Sequence, residues 1–117
     1  MRIEDNNLYM LSIGKRKHSW SIVKTTGPQP KSRFQHSMHF LRESNMMIMV
    51  GGRLIGEKTA SLDAEFIQDT HVLNVKTLEW SILQFTGPKI PAMYNFSSCL
   101  SDDKDLYIFG GCEEPLN

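Results

Sequence analysis

Only two cysteines occur among 117 residues, Cys99 and Cys112. Their separation fits neither a zinc knuckle nor a Cys-x-x-Cys redox pair. They read as reduced, partly buried thiols of a cytoplasmic or nuclear protein. Neither sign of charge is in excess, with 13 Lys plus Arg against 13 Asp plus Glu. That balance gives no basic surface for nucleic acid and none for anionic lipid. Long apolar runs are missing too. The longest, MMIMV at 46–50, is far too short to span a bilayer, so no membrane contact is expected. Residues 1–15 lack the apolar core of a secretory signal, which leaves little weight for the sequon Asn95-Phe96-Ser97. No Gly-x-Ser-x-Gly elbow, phosphate-binding loop or His-Glu-x-x-His is present. Sustained helical periodicity is absent as well; the best short-helix candidate is 60–68, inside a long connection.

What is present is a repeat. WSIVKTTGP at 20–28 returns as WSILQFTGP at 80–88, identical at six of nine positions. The echo extends outward. PKSRFQHS (30–37) and MMIMVGG (46–52) follow the first copy; PAMYNFSS (91–98) and DLYIFGG (105–111) follow the second. NLYMLSI (7–13) and DTHVLNV (69–75) precede the two tryptophans. A fixed period of this kind signals stacked or radial units. The apolar segments are short, rich in β-branched and aromatic residues, and bounded by Gly, Pro, Asn and Asp, which is the strand signature. Polar turns RESN (42–45) and SDDKD (101–105) join neighbouring segments as antiparallel hairpins. The unit is four antiparallel strands: A near 35–41, B 46–51, C 69–75 and D 80–84.

A Gly-Gly doublet after an apolar strand, an Asp-led strand (Asp69), Leu78-Glu79-Trp80, and the loop carrying Gly27, Pro30, Arg33 and His36 together resemble the kelch repeat. Gly51, Gly52, Gly110 and Gly111 fall in the same order. The resemblance covers essentially the whole chain and implies an all-β fold, part of a kelch-type β-propeller with four-stranded blades. The second loop departs from the pattern: aligned on its proline, it has Tyr94 at the Arg33 position and Ser97 at the His36 position.

The phase of the repeat gives strands C and D over 1–24, a complete blade over 25–84, and strands A and B over 85–117. Half a blade, one blade and half a blade cannot close a ring, which takes four to eight. Further blades of the same protein, or self-association, are therefore expected partners. Strand order gathers the long B–C and D–A connections on one side, where recognition usually resides. The expected partner-binding residues are Arg33, Arg53, Glu57, Lys58 and Tyr94. Arg33 either spans the central channel to a carbonyl or carboxylate, or holds an acidic group of a partner, to which its planar fork is suited. Trp20, His36, Gly51, Gly52, Asp69, Trp80, Gly110 and Gly111 are expected to be structural, with both tryptophans packed between blades and His36 hydrogen-bonded in the core. His39 is expected between blades. His36 and His39, three apart on a strand, point to opposite faces and cannot easily share an ion. Asp102, Asp103 and Asp105 read as turn caps. No metal, cofactor or catalytic residue is expected.

The leading expectation is a non-catalytic scaffold that presents its B–C and D–A loops to a protein or peptide. The rivals are the propeller region of a larger enzyme, a phosphatase or oxidase, and an architectural subunit of a large assembly.

Overall fold

A computed structural model describes residues 6–53, 69–88, 90–91, 93–102 and 104–113. Among them the only regular elements are strands. In chain order these are β1 (Leu8–Ile13), β2 (His18–Val23), β3 (Ser37–Leu41), β4 (Met46–Val50), β5 (His71–Asn74), β6 (Glu79–Ile82), β7 (Met93–Tyr94), β8 (Ser97–Ser101), β9 (Asp105–Phe109) and β10 (Cys112–Glu113). The strands expected from the sequence are present with each end shifted by at most two residues, and the short pair β7–β10 is an addition. The candidate helix at 60–68 lies outside the described residues.

β3, β4, β5 and β6 form one four-stranded antiparallel sheet in sequence order. β1 pairs with β2 on one side of it and β8 with β9 on the other, each as a separate two-stranded sheet. This is the order C–D, A–B–C–D, A–B, and it gives an all-β segment of a propeller. The turns explain the register. Asn74 Oδ1 accepts hydrogen bonds from the Lys76 and Thr77 N–H groups at 2.9 and 3.1 Å. This fixes an Asx turn and sets Leu73 opposite Trp80. The Val75 N–H donates to the Asn45 carbonyl at 3.0 Å, so the A–B and C–D turns of the central sheet touch.

The core sits on one face of that sheet. Met49, Leu73 and Trp80 are buried together, with Leu8, Met38, Met47 and Val75 packed around them. Burying each such side chain contributes about 1.5–3 kcal/mol. Leu8 belongs to β1, so this face looks toward the first hairpin. β5 runs His71, Val72 and Leu73 all buried, without polar alternation, because it is an interior strand covered on both faces. The opposite face looks toward β9 across a cleft of about 560 Å³ lined by Ile48, Val50, Leu83, Phe85, Leu106 and Ile108.

Short ties join the three sheets. Thr26 lies beside β6: its N–H donates to the Leu78 carbonyl, its carbonyl accepts from the Trp80 N–H, and Trp80 Nε1 donates to Thr25 Oγ1 at 3.1 Å. A Cβ at Gly27, whose φ is +81°, would run into the Trp80 carbonyl oxygen, which is why the Thr-Gly-Pro segment carries glycine there. On the other side, the Gly52 N–H donates to the Met93 carbonyl and the Asn95 N–H to the Gln35 carbonyl, both at 3.0 Å. His39 Nε2 meets Ser98 Oγ at 2.7 Å, placing His39 between sheets as expected. The radius of gyration is 15.7 Å, against about 13 Å for a compact domain of this length. The excess fits an open wedge of sheets.

Candidate interaction site

The connections entering β3 and leaving β4 meet through a bridge between Phe34 and Arg53, with reciprocal backbone hydrogen bonds at 2.9 and 3.0 Å. That bridge brings Arg33 and Arg53 to the same loop side of the central sheet. Arg33 is half-buried. Its Nη1 donates to the Gly51 carbonyl at 3.2 Å and its Nε to the Lys31 carbonyl at 3.1 Å. Its Nη2 is buried without a hydrogen-bond partner among the described residues. Desolvation lowers the Arg33 pKa from its ordinary value, and the Asp69 carboxylate pulls against that shift. A guanidinium keeps its charge in proteins regardless, so the unmet donor is a cation awaiting an acceptor.

Arg53 places its guanidinium carbon 5.1 Å from the centre of the Tyr94 ring. Its Nη1 is also 3.5 Å from Tyr94 Oη, long for a hydrogen bond, so stacking carries the pair. The contact spans the join between the central sheet and the β8–β9 pair. Arg53 and Tyr94 are thus brought together, while Arg33 precedes the Phe34 that bridges to Arg53 and holds the Gly51 carbonyl. Glu57 and Lys58 lie outside the described residues, as does the rest of the B–C connection up to residue 68.

The loops are registered differently from the proline-based alignment. Phe34 pairs with Arg53, and Tyr94 pairs with Cys112. Gln35 and Asn95 have matching φ of 56° and 57°. A Cβ at Gly52 would meet His36 Cβ and the Phe34 carbonyl; one at Gly111 would meet Phe96 Cβ and the Tyr94 carbonyl. Tyr94 therefore occupies the Phe34 position, Met93 the Arg33 position and Phe96 the His36 position. The offset between the copies is 60 residues at Trp20 and Trp80 and again at Arg33 and Met93, so the two loops are equally long and Pro91 stands one position later than Pro30; matching the two prolines shifts everything after them by one. An aromatic replaces an aromatic, and the arginine is not repeated.

The structural residues divide. Trp80 is buried at 3 % exposure, as expected between blades, whereas Trp20 is 70 % exposed. Trp20 stands opposite Leu11 on β1–β2. Since Leu8 faces the central sheet, alternation turns Leu11 and Trp20 away from it. His36 is exposed and makes no hydrogen bond among the described residues, contrary to the expected core role. Partial loss of ring hydration, then the charge of Arg33, push its pKa down. Gly51, Gly52, Gly110 and Gly111 all have positive φ, and Gly51 lies against Phe96 and the Met93 carbonyl. Cys99 and Cys112 are exposed rather than partly buried. Asp102 sits in the turn before β9 with φ 49°; Asp103 lies outside the described residues.

One polar group escaped the sequence reading. His71 is 3 % exposed, with Nδ1 3.6 Å from the half-exposed Asp69 carboxylate and its ring edge-on to Trp80 at 6.1 Å. Asp69 and His71 are two apart on strand C, the spacing that puts side chains on one face, and this was the available signal. Desolvation lowers the His71 pKa; Asp69 opposes this and Arg33 adds to it. Among the described residues no group of three or more His, Cys, Asp or Glu could hold a metal ion. No helix among them is long and apolar enough to cross a membrane.

A family model described as the KLHDC2/KLHL20/DRC7 Kelch-repeats domain matches residues 2–115. Host cell factor homolog hcf-1 of Caenorhabditis elegans is 28 % identical over 113 residues, 91 % of this chain and 13 % of that protein. Acyl-CoA-binding domain-containing protein 6 of Oryza sativa subsp. japonica is 30 % identical over 80 % of the chain and 13 % of its own length. An N-(sulfonatooxy)prop-2-enimidothioate sulfolyase of Thlaspi arvense is 30 % identical over 92 % of the chain and 28 % of its own length. The chain thus spans less than a third of each of these relatives. With the family model matching nearly every residue and the A–B–C–D sheet present, the chain belongs to the Kelch-repeat family.

Proposed function

We propose that this chain is a non-catalytic interaction scaffold whose B–C and D–A loop side receives a protein or peptide bearing an acidic group. The observation that carries the reading is the unmet, buried Nη2 of Arg33, the residue before the Phe34 that bridges to Arg53. A carboxylate of a partner would accept from that donor in the charge-assisted geometry arginine favours. Tyr94 holds Arg53 in place and adds an aromatic surface, the combination enriched at interface hot spots. Interaction is also the common role of Kelch repeats.

The test is a peptide array of acidic sequences and their amide-substituted counterparts, followed by titration of the strongest binders. The double variant Arg33→Ala/Arg53→Ala is expected to lose acidic-peptide binding by tenfold or more, about 1.4 kcal/mol, with its circular dichroism retained. Equal binding of acidic and amide peptides sinks the proposal. A second reading, the propeller region of a larger enzyme, is favoured by the sulfolyase likeness. In that case residues of this segment would position substrate, and the same double variant would raise KM.

A further inference from the structure

Asp69 and His71 lie two apart at the start of strand C, on the core face of the central sheet. β5, which carries His71, pairs with β4 on one side and β6 on the other, so its burial is settled within this chain. The His71 Nδ1 is buried and has no hydrogen-bond partner among the described residues. Asp69 Oδ2 stands 3.6 Å from it, an ion-pair distance but too long for a hydrogen bond. The Nη2 of Arg33 is a second buried donor left unmet. Arg33 is anchored through Nη1 on the Gly51 carbonyl, two residues beyond Met49, which faces His71 across β4–β5. The charges of Asp69 and Arg33 both act on His71, and that of Asp69 acts on Arg33.

We propose that these three residues form one proton-linked site, in which an acidic group that reaches Arg33 is bound together with a proton taken from solvent onto His71. The inference rests on the acid-binding reading of Arg33. Charge balance supplies the reason. With His71 neutral, the Arg33 guanidinium and the Asp69 carboxylate cancel. A partner carboxylate at Nη2 then adds one negative charge, which a half-buried site compensates poorly. A proton on His71 removes the excess. The Nδ1–H of the imidazolium faces Asp69 and engages the carboxylate that otherwise repels the incoming group.

The surroundings keep that proton off beforehand. Desolvation first, then the charge of Arg33, hold His71 below the ordinary histidine value, against the pull of Asp69. Asp69 on its own strand and Arg33 on the connection into β3 are the charged groups acting on it. β4 and β6 bring Met49 and Trp80 to the same core, and β1 brings Leu8, none of which titrates. Binding of an anion raises the His71 pKa. Affinity for acidic groups is therefore lowest above the bound-state value, rises as pH falls through it, and levels off below the free-state value. His36 also feels the charge of Arg33, but it is exposed and serves as the control imidazole.

The experiment is calorimetric titration of the chain with the strongest acidic peptide of the array, in buffers of different ionisation enthalpy between pH 6 and 7.5. The amide counterpart is titrated in parallel. Uptake of up to one proton per acidic peptide is expected, with affinity rising as pH falls, about tenfold for each unit by which binding raises the His71 pKa. Asp69→Asn should tighten acidic binding at pH 7.5 and reduce the uptake. His71→Gln should abolish the uptake and His36→Gln should leave it, with circular dichroism checking each fold. Because His71 is buried, its NMR titration in the parent chain answers the same question without a substitution: the midpoint should move up when the acidic peptide is added. Acidic binding with no proton uptake, or uptake that follows His36 instead of His71, overturns the linkage and leaves the acid site standing. An array without any acidic binder brings down both.

Discussion

Trp80 and Trp20 open the same Trp-Ser-Ile tripeptide on equivalent strands, yet Trp80 is 3 % exposed and Trp20 70 %. The glycines that follow differ in the opposite sense, the crowded one coming after the exposed Trp20 and the open one after the buried Trp80. Gly27 lies against the Trp80 backbone, while nothing stands within 4 Å of a Cβ built at Gly87. In the central sheet β4 and β5 have strand partners on both sides, and the core face is capped by Leu8 from the preceding hairpin. Among the described residues β1 pairs only with β2 and β9 only with β8. In a radial repeat a position's environment is supplied by the next unit, so identical sequence marks identical need and not identical burial.

Paired substitutions test that lesson, and the tryptophans give the largest contrast. Trp80→Ala should destabilise the fold by about 3–5 kcal/mol, because it removes the centre of the small core and leaves a cavity. Trp20→Ala should stay within about 0.5 kcal/mol of the parent. Equal losses in urea unfolding would show that the flanking pair has a core of its own.

The glycine pair should separate less. Gly27→Ala combines a positive φ with a collision against the Trp80 carbonyl, for about 2–5 kcal/mol. Gly87→Ala meets only the backbone strain, about 1–3 kcal/mol. Thermal melts of the two variants side by side measure the difference, which disappears if Gly27 can move away from β6.

The smallest effect is that of pH. His71 and His36 both titrate below the ordinary histidine value when folded, His71 first through desolvation. The unfolded chain therefore takes up protons first as pH falls. Stability from the neutral rings is full above about pH 6.5 and is lost as acid protonates them in the unfolded state, so stability rises with pH through this range. Melting temperature should drop between about pH 7.5 and 5.5. His71→Tyr, which copies the residue at the matching position of β1, should flatten most of that slope; an unchanged slope would assign it elsewhere.

Much of this architecture was legible before any coordinates. Spacing, strand composition and the Gly-Gly endings identify the units because those choices are local: hairpins need polar turns and strands need apolar alternation. Loop register was not legible. Pro30 and Pro91 invite alignment, but backbone pairing of Phe34 with Arg53 and of Tyr94 with Cys112 decides the matter, and a one-residue offset moves Tyr94 from the arginine position to the aromatic one. The meeting of Arg53 with Tyr94, 41 residues away, depends on how two sheets abut. So does the burial of His71 beside Asp69 and Trp80.

The sequence by itself determined the strand units and their order, since hydrogen-bonding pattern and side-chain alternation act over a few residues. Tertiary structure alone decided which tryptophan is covered and which arginine donor lacks an acceptor. Those properties belong to neighbouring sheets, and no residue carries its neighbour's geometry in its own identity.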